Sequence, residues 1–208
     1  ENRYRVVLTD EAHFGRFWTA NVAYNHVSDP YYYRDLGLGG DLTTQDQLLN
    51  QIEATYTQGE WLGIARLQDH QALHQIDQKP AFDLYRQLPY FSLTRTMPYV
   101  HGAQLTTNAE WVNFDRKGDF TTKLPVVEAK RSHVSSMLTL PFQSAFAYIK
   151  PTWLVQGTWY NMHDQSMTTP ESPHFVFNTF WLDSGLRFDR QLKVHGHAFV
   201  QTLEPRVY

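Results

Sequence analysis

The chain has 208 residues, with 18 Lys and Arg against 21 Asp and Glu, and a formal net charge of -3, so no general attraction to nucleic acid is implied. It contains no cysteine, which excludes a disulfide scaffold and a Cys-based metal site. Aromatic residues reach a high 15%, yet no stretch approaches the roughly 18 apolar residues of a transmembrane helix.

The start, ENRYRVVL, lacks the layout of a signal peptide. A first strand is predicted near 2–10. RFWTANVAYNHVS at 16–28 then alternates Trp18, Ala20, Val22 and Tyr24 against Thr19, Asn21, Ala23 and Asn25, the two-residue period of a strand. QLLNQIEATY (47–56) also carries Leu48, Ile52 and Tyr56 at helical spacing, but its strand-like neighbours favour a strand over 44–57. Further strands are predicted near 61–73, 85–97 and 102–114; in the last of these Ala103, Leu105, Ala109 and Trp111 oppose Gln104, Thr106, Asn108 and Glu110. Strands near 129–141 and 146–160 follow, with Ile149, Trp153, Val155 and Trp159 opposing Lys150, Thr152, Gln156 and Thr158. The last two are placed at 175–189 and 193–208, where Val194, Ala198 and Val200 oppose Lys193, His195, His197 and Gln201.

The connections alternate. DEAHFG, QGE, the MPYVH region, FQSA and RQL are short, whereas 29–43, 74–84, 115–128 and 161–174 are long. A transmembrane β-barrel has short periplasmic turns, long extracellular loops and strands of about 9–11 residues. A soluble sandwich favours strands nearer 5–6 residues. The expected fold is therefore all-β: an antiparallel up-and-down meander of about ten long strands, part of a large transmembrane barrel. In that frame Trp18 and Trp61 fall at the inner boundary and Trp111 and Trp159 at the outer one, as in an aromatic girdle. Trp181 points inward by parity, unless a bulge reverses the register there. Pro89, Pro125, Pro141, Pro151 and Pro205 fall inside or beside predicted strands, and proline belongs at strand starts, edges or bulges.

Chemistry-bearing residues are sparse. HGH at 195–197 sets two imidazoles on one predicted strand face, the spacing of a metal pair, but no third ligand is visible. GLGG at 37–40 lacks the strand–helix context of a phosphate cradle. His163 and Asp164 lie in a long loop, where ten-stranded outer-membrane proteases use a His–Asp pair. Gln104, Asn108, Glu110, Arg131, His133, Lys150, Gln156, Arg187, His195 and His197 are inward by parity and are the candidate lumen-facing, partner-binding set. Arg131, His133, Lys150 and Arg187 are also suited to phosphates of a glycolipid. No cofactor and no metal is expected.

Four stretches carry a family resemblance: VSDPYYYRDLG after VAYNHVS, QLPYFSLTR (87–95), RSHVSSMLTLPF (131–142) and the ending QTLEPRVY (201–208). In this order they resemble the LptD family of LPS-assembly proteins, along essentially the whole chain. The resemblance implies a very large barrel in the outer membrane of a Gram-negative bacterium, preceded by a periplasmic jellyroll. It implies three partners: a lipoprotein plug of the LptE type in the lumen, lipopolysaccharide, and a periplasmic LPS bridge reaching the barrel through the N-terminal domain. The chain lacks a jellyroll and the family's cysteines, so residues 1–208 are expected to be one internal segment of the barrel domain, without its gate strands. Asp29, Pro30, Tyr31, Tyr32, Tyr33 and Asp35 then belong to an extracellular loop, with Asp29 and Pro30 as the turn that ends the strand. The expected role is a non-enzymatic translocation wall. The alternatives are a complete ten-stranded outer-membrane enzyme with its site at the extracellular rim, and a soluble all-β binding domain.

Overall fold

The computed structural model describes residues 2–36, 47–73, 84–100, 102–116, 127–163, 171–194 and 197–208. Alternating sequence gives alternating strands: β1 (Arg5–Phe14), β2 (Trp18–Val27), β3 (Gln47–Gln58), β4 (Trp61–Ala72), β5 (Arg86–Val100), β6 (Ala103–Asp115), β7 (Glu128–Thr139), β8 (Phe142–Gln143), β9 (Ala147–His163), β10 (His174–Leu186), β11 (Phe188–Val194), β12 (His197–Leu203) and β13 (Arg206–Val207). A single helical turn, α1 (Tyr32–Asp35), follows β2. Eleven strands form one antiparallel sheet in the order β1-β2-β3-β4-β5-β6-β7-β9-β10-β13, with β8 paired to β9; β11 and β12 pair only with each other. The ambiguous segment at 47–56 is strand, within β3.

Three of the short turns are built on glycine. Gly15, Gly59 and Gly102 have φ of 66°, 56° and 85°, a region where a Cβ is costly. Two boundaries differ from expectation. β1 continues through Asp10 to Phe14, so DEAHFG is mostly strand and the reversal is confined to 15–17. The single strand expected over 193–208 is split. The reversal expected at RQL lies inside β11, and the hairpin closes between Val194 and His197, which pair with each other. Pro205 interrupts the chain after β12 because it has no N–H for a ladder; its carbonyl instead accepts the Leu186 N–H at 3.1 Å, and β13 then pairs with Ser184 and Gly185.

Pro89, Pro98 and Pro151 each sit where the ladder on one side is irregular or ends. Pro89 and Pro98 fall in the two register irregularities between β5 and β6. Pro151 lies just beyond the last β7–β9 pair, Thr139–Thr152, and its carbonyl accepts the Leu140 N–H at 3.0 Å. Pro141 follows β7, and Pro125 lies outside the described residues. No bulge disturbs β9–β10, where Trp181 pairs with Thr152, so the alternative of a reversed register at Trp181 does not hold.

Directly paired residues of an antiparallel sheet share a face, so the register sorts the side chains. One face carries Trp18, Val22, Ile52, Leu67, Leu93, Leu105, Leu138, Trp153, Val155, Phe180 and Leu182. The other carries Thr19, Asn21, Glu53, Arg66, Ser92, Thr94, Asn108, Glu110, His133 and Gln156. Many large side chains of the apolar face are exposed to about half their area, including Ile52, Leu93, Trp153 and Phe180. Asp10, opposite Val22, is a charged exception on that face of β1.

The rows of paired residues climb relative to the strands. Ala20, Ala54, Ala65, Phe91, Trp111, Ser132, Trp159 and His174 form one continuous row. It begins near the start of β2, beside a short turn, and ends near the end of β9 and the start of β10, beside a long connection. Such stagger is the shear of strands tilted in a barrel wall.

Candidate functional site

The polar face is a network of directly paired side chains. Glu53 and Arg66 face each other from β3 and β4, with Arg66 Nε donating to Glu53 Oε2 at 2.6 Å and its guanidinium 5.0 Å from the Tyr90 ring centre. From β6, Asn108 Nδ2 donates to Ser92 Oγ (3.1 Å) and Thr94 Oγ1 (2.8 Å). Glu110 accepts from Arg131 at 3.1 Å, and Arg131 also lies 5.5 Å from the Phe114 ring centre. His133 Nδ1 is 2.8 Å from Thr158 Oγ1. Tyr148 donates to Asp183 Oδ1 at 2.9 Å. Hydroxyls, amides and ion pairs thus satisfy one another across strands on this face.

Seven residues of the candidate set lie on this one face: Gln104, Asn108, Glu110, Arg131, His133, Lys150 and Gln156. Lys150 sits opposite Asp183, and Gln156 lies between Ser135 and Phe177. The other three do not join them. Arg187 falls in the break between β10 and β11, where its N–H donates to Phe146 O at 2.8 Å and its Nε to Glu204 at 2.9 Å, so it clamps the base of the β11–β12 hairpin. His197 begins β12 in the separate two-stranded sheet, and His195 lies outside the described residues. The chain reverses between Val194 and His197, so the expected pair of imidazoles at 195 and 197 lies partly outside the described residues. Among the described residues, no group of three or more His, Asp or Glu is placed to hold a metal.

Two features escaped the sequence reading. β10 is apolar on both faces: Phe175 and Phe177 join Trp181, which was expected to point inward, on the polar face of the sheet, with the two Phe rings stacked at 6.5 Å. The run FVFNTFWL, interrupted only by Asn178 and Thr179, was the available signal, since a strand wet on one face should alternate. The second feature is the compact rim above β2. Asp29 Oδ1 accepts the Tyr31 N–H at 3.1 Å and Asp29 O the Tyr32 N–H at 3.2 Å, which starts α1 after Pro30. Arg3 ties Asp29 (3.4 Å) to Asp35 (2.9 Å). Tyr33, 4% exposed, packs with Val27, Leu48 and Leu73, and Tyr32 covers the cluster.

This rim is held by side chains that replace a ladder. The β2–β3 pairing ends at Ala23–Gln51. Beyond it, Asn50 Oδ1 accepts the Asn25 N–H at 2.7 Å, while Gln71 accepts the Val27 N–H at 3.0 Å and donates to Val27 O at 2.8 Å. The primary amides supply donor and acceptor in one group, as a backbone would.

A family model described as LPS transport system D, LptD, matches residues 1–208. An LPS-assembly protein LptD from Coxiella burnetii is 36% identical over 200 residues, covering 94% of this chain and 23% of that protein. Proteins of the same name are 28% identical in Legionella pneumophila strain Lens, covering 100% of this chain and 25% of that protein, and 30% identical in Nitrosospira multiformis, covering 99% and 22%. The chain therefore spans about a quarter of the length of the curated relatives it matches. A match along its whole length, with a relative at 36% identity, shows that this two-faced meander of long strands belongs to the LptD family.

Proposed function

We propose that the chain is one wall segment of a large outer-membrane barrel that inserts lipopolysaccharide into the outer leaflet. Its apolar face meets lipid, and its polar face lines a lumen that holds a lipoprotein plug of the LptE type. The observation that carries this reading is the partition of the register into one apolar and one hydrogen-bonded face across β2–β9. In a wide barrel, water or a plug has to complete the hydrogen bonding of such a face. The periplasmic LPS bridge then engages a domain outside residues 1–208. The loop Asp29–Asp35 is an extracellular one, and its tyrosines serve mainly to fold the rim. Among the described residues no helix is long and apolar enough to cross a membrane; on this reading the long strands are the membrane-crossing elements.

The relatives carry the name of an assembly protein, which favours a wall without catalysis over the ten-stranded enzyme. The test is site-specific photocrosslinking in the full-length protein. Crosslinkers at Gln104, Asn108 and Gln156 should capture the lipoprotein, and crosslinkers at Val22 and Val155 should not. Capture from the second set alone overturns the assignment.

A further inference from the structure

The apolar face of β2–β4 ends at a sharp level. Val22, Ile52 and Leu67 form one directly paired row, and the next outward positions are Tyr24, Asn50 and Asp69. At this step the face opens into a pocket of about 460 Å³, within the roughly 300–1,000 Å³ usual for small-molecule sites. Tyr24 and His26 lie nearly parallel, with ring centres 6.2 Å apart and planes at 17°, and they form one wall. Asn50, Asp69, His70 and Arg86 line the remainder. The polar walls are held in place: Asn50 Oδ1 by the Asn25 N–H, Asp69 Oδ1 by the His70 N–H at 2.8 Å, and Arg86 by ion pairs to Asp69 and Asp115. The buried Arg86 Nε has no hydrogen-bond partner among the described residues, with Asp69 Oδ1 4.0 Å away. Buried polar atoms are normally satisfied.

We infer that this pocket binds a saccharide, and specifically a sugar of the lipid that the wall exports; the inference rests on the proposed LPS-export role. Three properties select that chemistry. Donors and acceptors are closely mixed, which suits vicinal hydroxyls that both donate and accept. Aromatic faces stand beside them, which suits the C–H face of a pyranose. Asp69 and Asp115 flank the only arginine of the lining set, so a bare phosphate meets two like charges as well as one opposite charge. The position agrees with the chemistry: the pocket opens directly above the last apolar row, where the acyl chains of a glycolipid give way to its sugars.

The experiment uses the full-length protein in nanodiscs of phospholipid free of LPS. The probe is deacylated, dephosphorylated core oligosaccharide, read by saturation-transfer NMR. Wild type should bind it, inorganic phosphate should not displace it, and Asp69→Asn and Tyr24→Ala should each weaken binding about tenfold or more. Hydroxyl-radical footprinting of wild type adds a test independent of any variant's folding: the oligosaccharide should protect Tyr24 and His26 and leave Trp61 unchanged. Absence of binding to wild type, equal binding by both variants, displacement by phosphate, or protection away from Tyr24 and His26 overturns the site. Appearance of new LPS at the surface of cells is measured in parallel. Export by a wild-type protein that binds no oligosaccharide overturns the pocket alone, whereas a protein with no part in export overturns the wall reading itself.

Discussion

The indole N–H of Trp153 donates to the side-chain oxygen of Asn178 across β9 and β10, on the face that also carries Val155, Phe180 and Leu182. Thr107 and Ser136 repeat the device on β6 and β7, with their hydroxyl oxygens 2.9 Å apart. On the proposed reading of this face as lipid-facing, its polar groups have no water to fall back on, so they satisfy each other. Asn178→Leu should leave the Trp153 N–H unpaired and cost about 1–3 kcal/mol. Adding Trp153→Phe should recover much of that loss. A double-mutant cycle on thermal unfolding of the assembled barrel reads the coupling, and strict additivity would show that the pair is not coupled.

Face assignment has a sharper test in two adjacent residues. Leu105 pairs with Met97 and Leu138 on the apolar face, and Thr106 pairs with Thr96 and Met137 on the other. Leu105→Arg should cost about 2–4 kcal/mol if it lies near the bilayer midplane, and the yield of folded barrel should fall. Thr106→Arg should assemble nearly normally. The reverse result inverts inside and outside for the whole sheet.

At the β3–β4 turn, a Cβ added to Gly59 would meet no atom within 4 Å, so sterics with neighbours do not constrain it. Its φ of +56° does. Gly59→Val should therefore cost about 1–2 kcal/mol from backbone conformation alone, while Gly59→Asn should cost less because Asn tolerates this region. Denaturation midpoints of the two variants give the comparison, and equal midpoints would remove the conformational explanation.

Tyr33 should matter more than its neighbour Tyr31. It is buried against Val27, Leu48 and Leu73, and the Arg5 guanidinium lies 5.6 Å from its ring centre. Tyr33→Ala should cost about 3–5 kcal/mol of local stability and expose residues 28–36 to proteolysis. Tyr31→Ala, at a half-buried position, should have a much smaller effect on the same cleavage rate. Similar cleavage in both variants would mean that the cluster does not hold the loop.

The meander, its eight long strands from β1 to β9 and the parity of Val22, Leu105 and Val155 were legible because period-two alternation is a local property of the chain, whereas the two-residue β8 was not. The final fifty residues were read less well. There the pattern FVFNTFWL is apolar on both faces, and Pro205 cuts a run whose alternation alone looks continuous. Arg187 and His197 were misplaced for that reason: their parity was counted through a break. The rim was invisible for another reason. Nothing in the composition of Asn50 or Gln71 announces that a side chain will stand in for a strand, because the substitution depends on how far β2 departs from β3 after Ala23. Tyr33 could be seen as aromatic mass in a loop, but its partner Leu73 lies forty residues away in sequence.

In the proposed barrel wall, the staggered row from Ala20 to His174 connects the two membrane surfaces. Paired residues run from a point beside the β1–β2 turn, strand by strand, to a point beside the long connection between β9 and β10, within a continuous backbone ladder. A displacement at the lower turn can therefore be passed along stiff backbone bonds to the upper rim seven strands away. In that proposed wall, stress applied on one side of the bilayer would be delivered obliquely, along the sheet as well as upward, so the part of the rim that answers to a given turn is offset from the part directly above it.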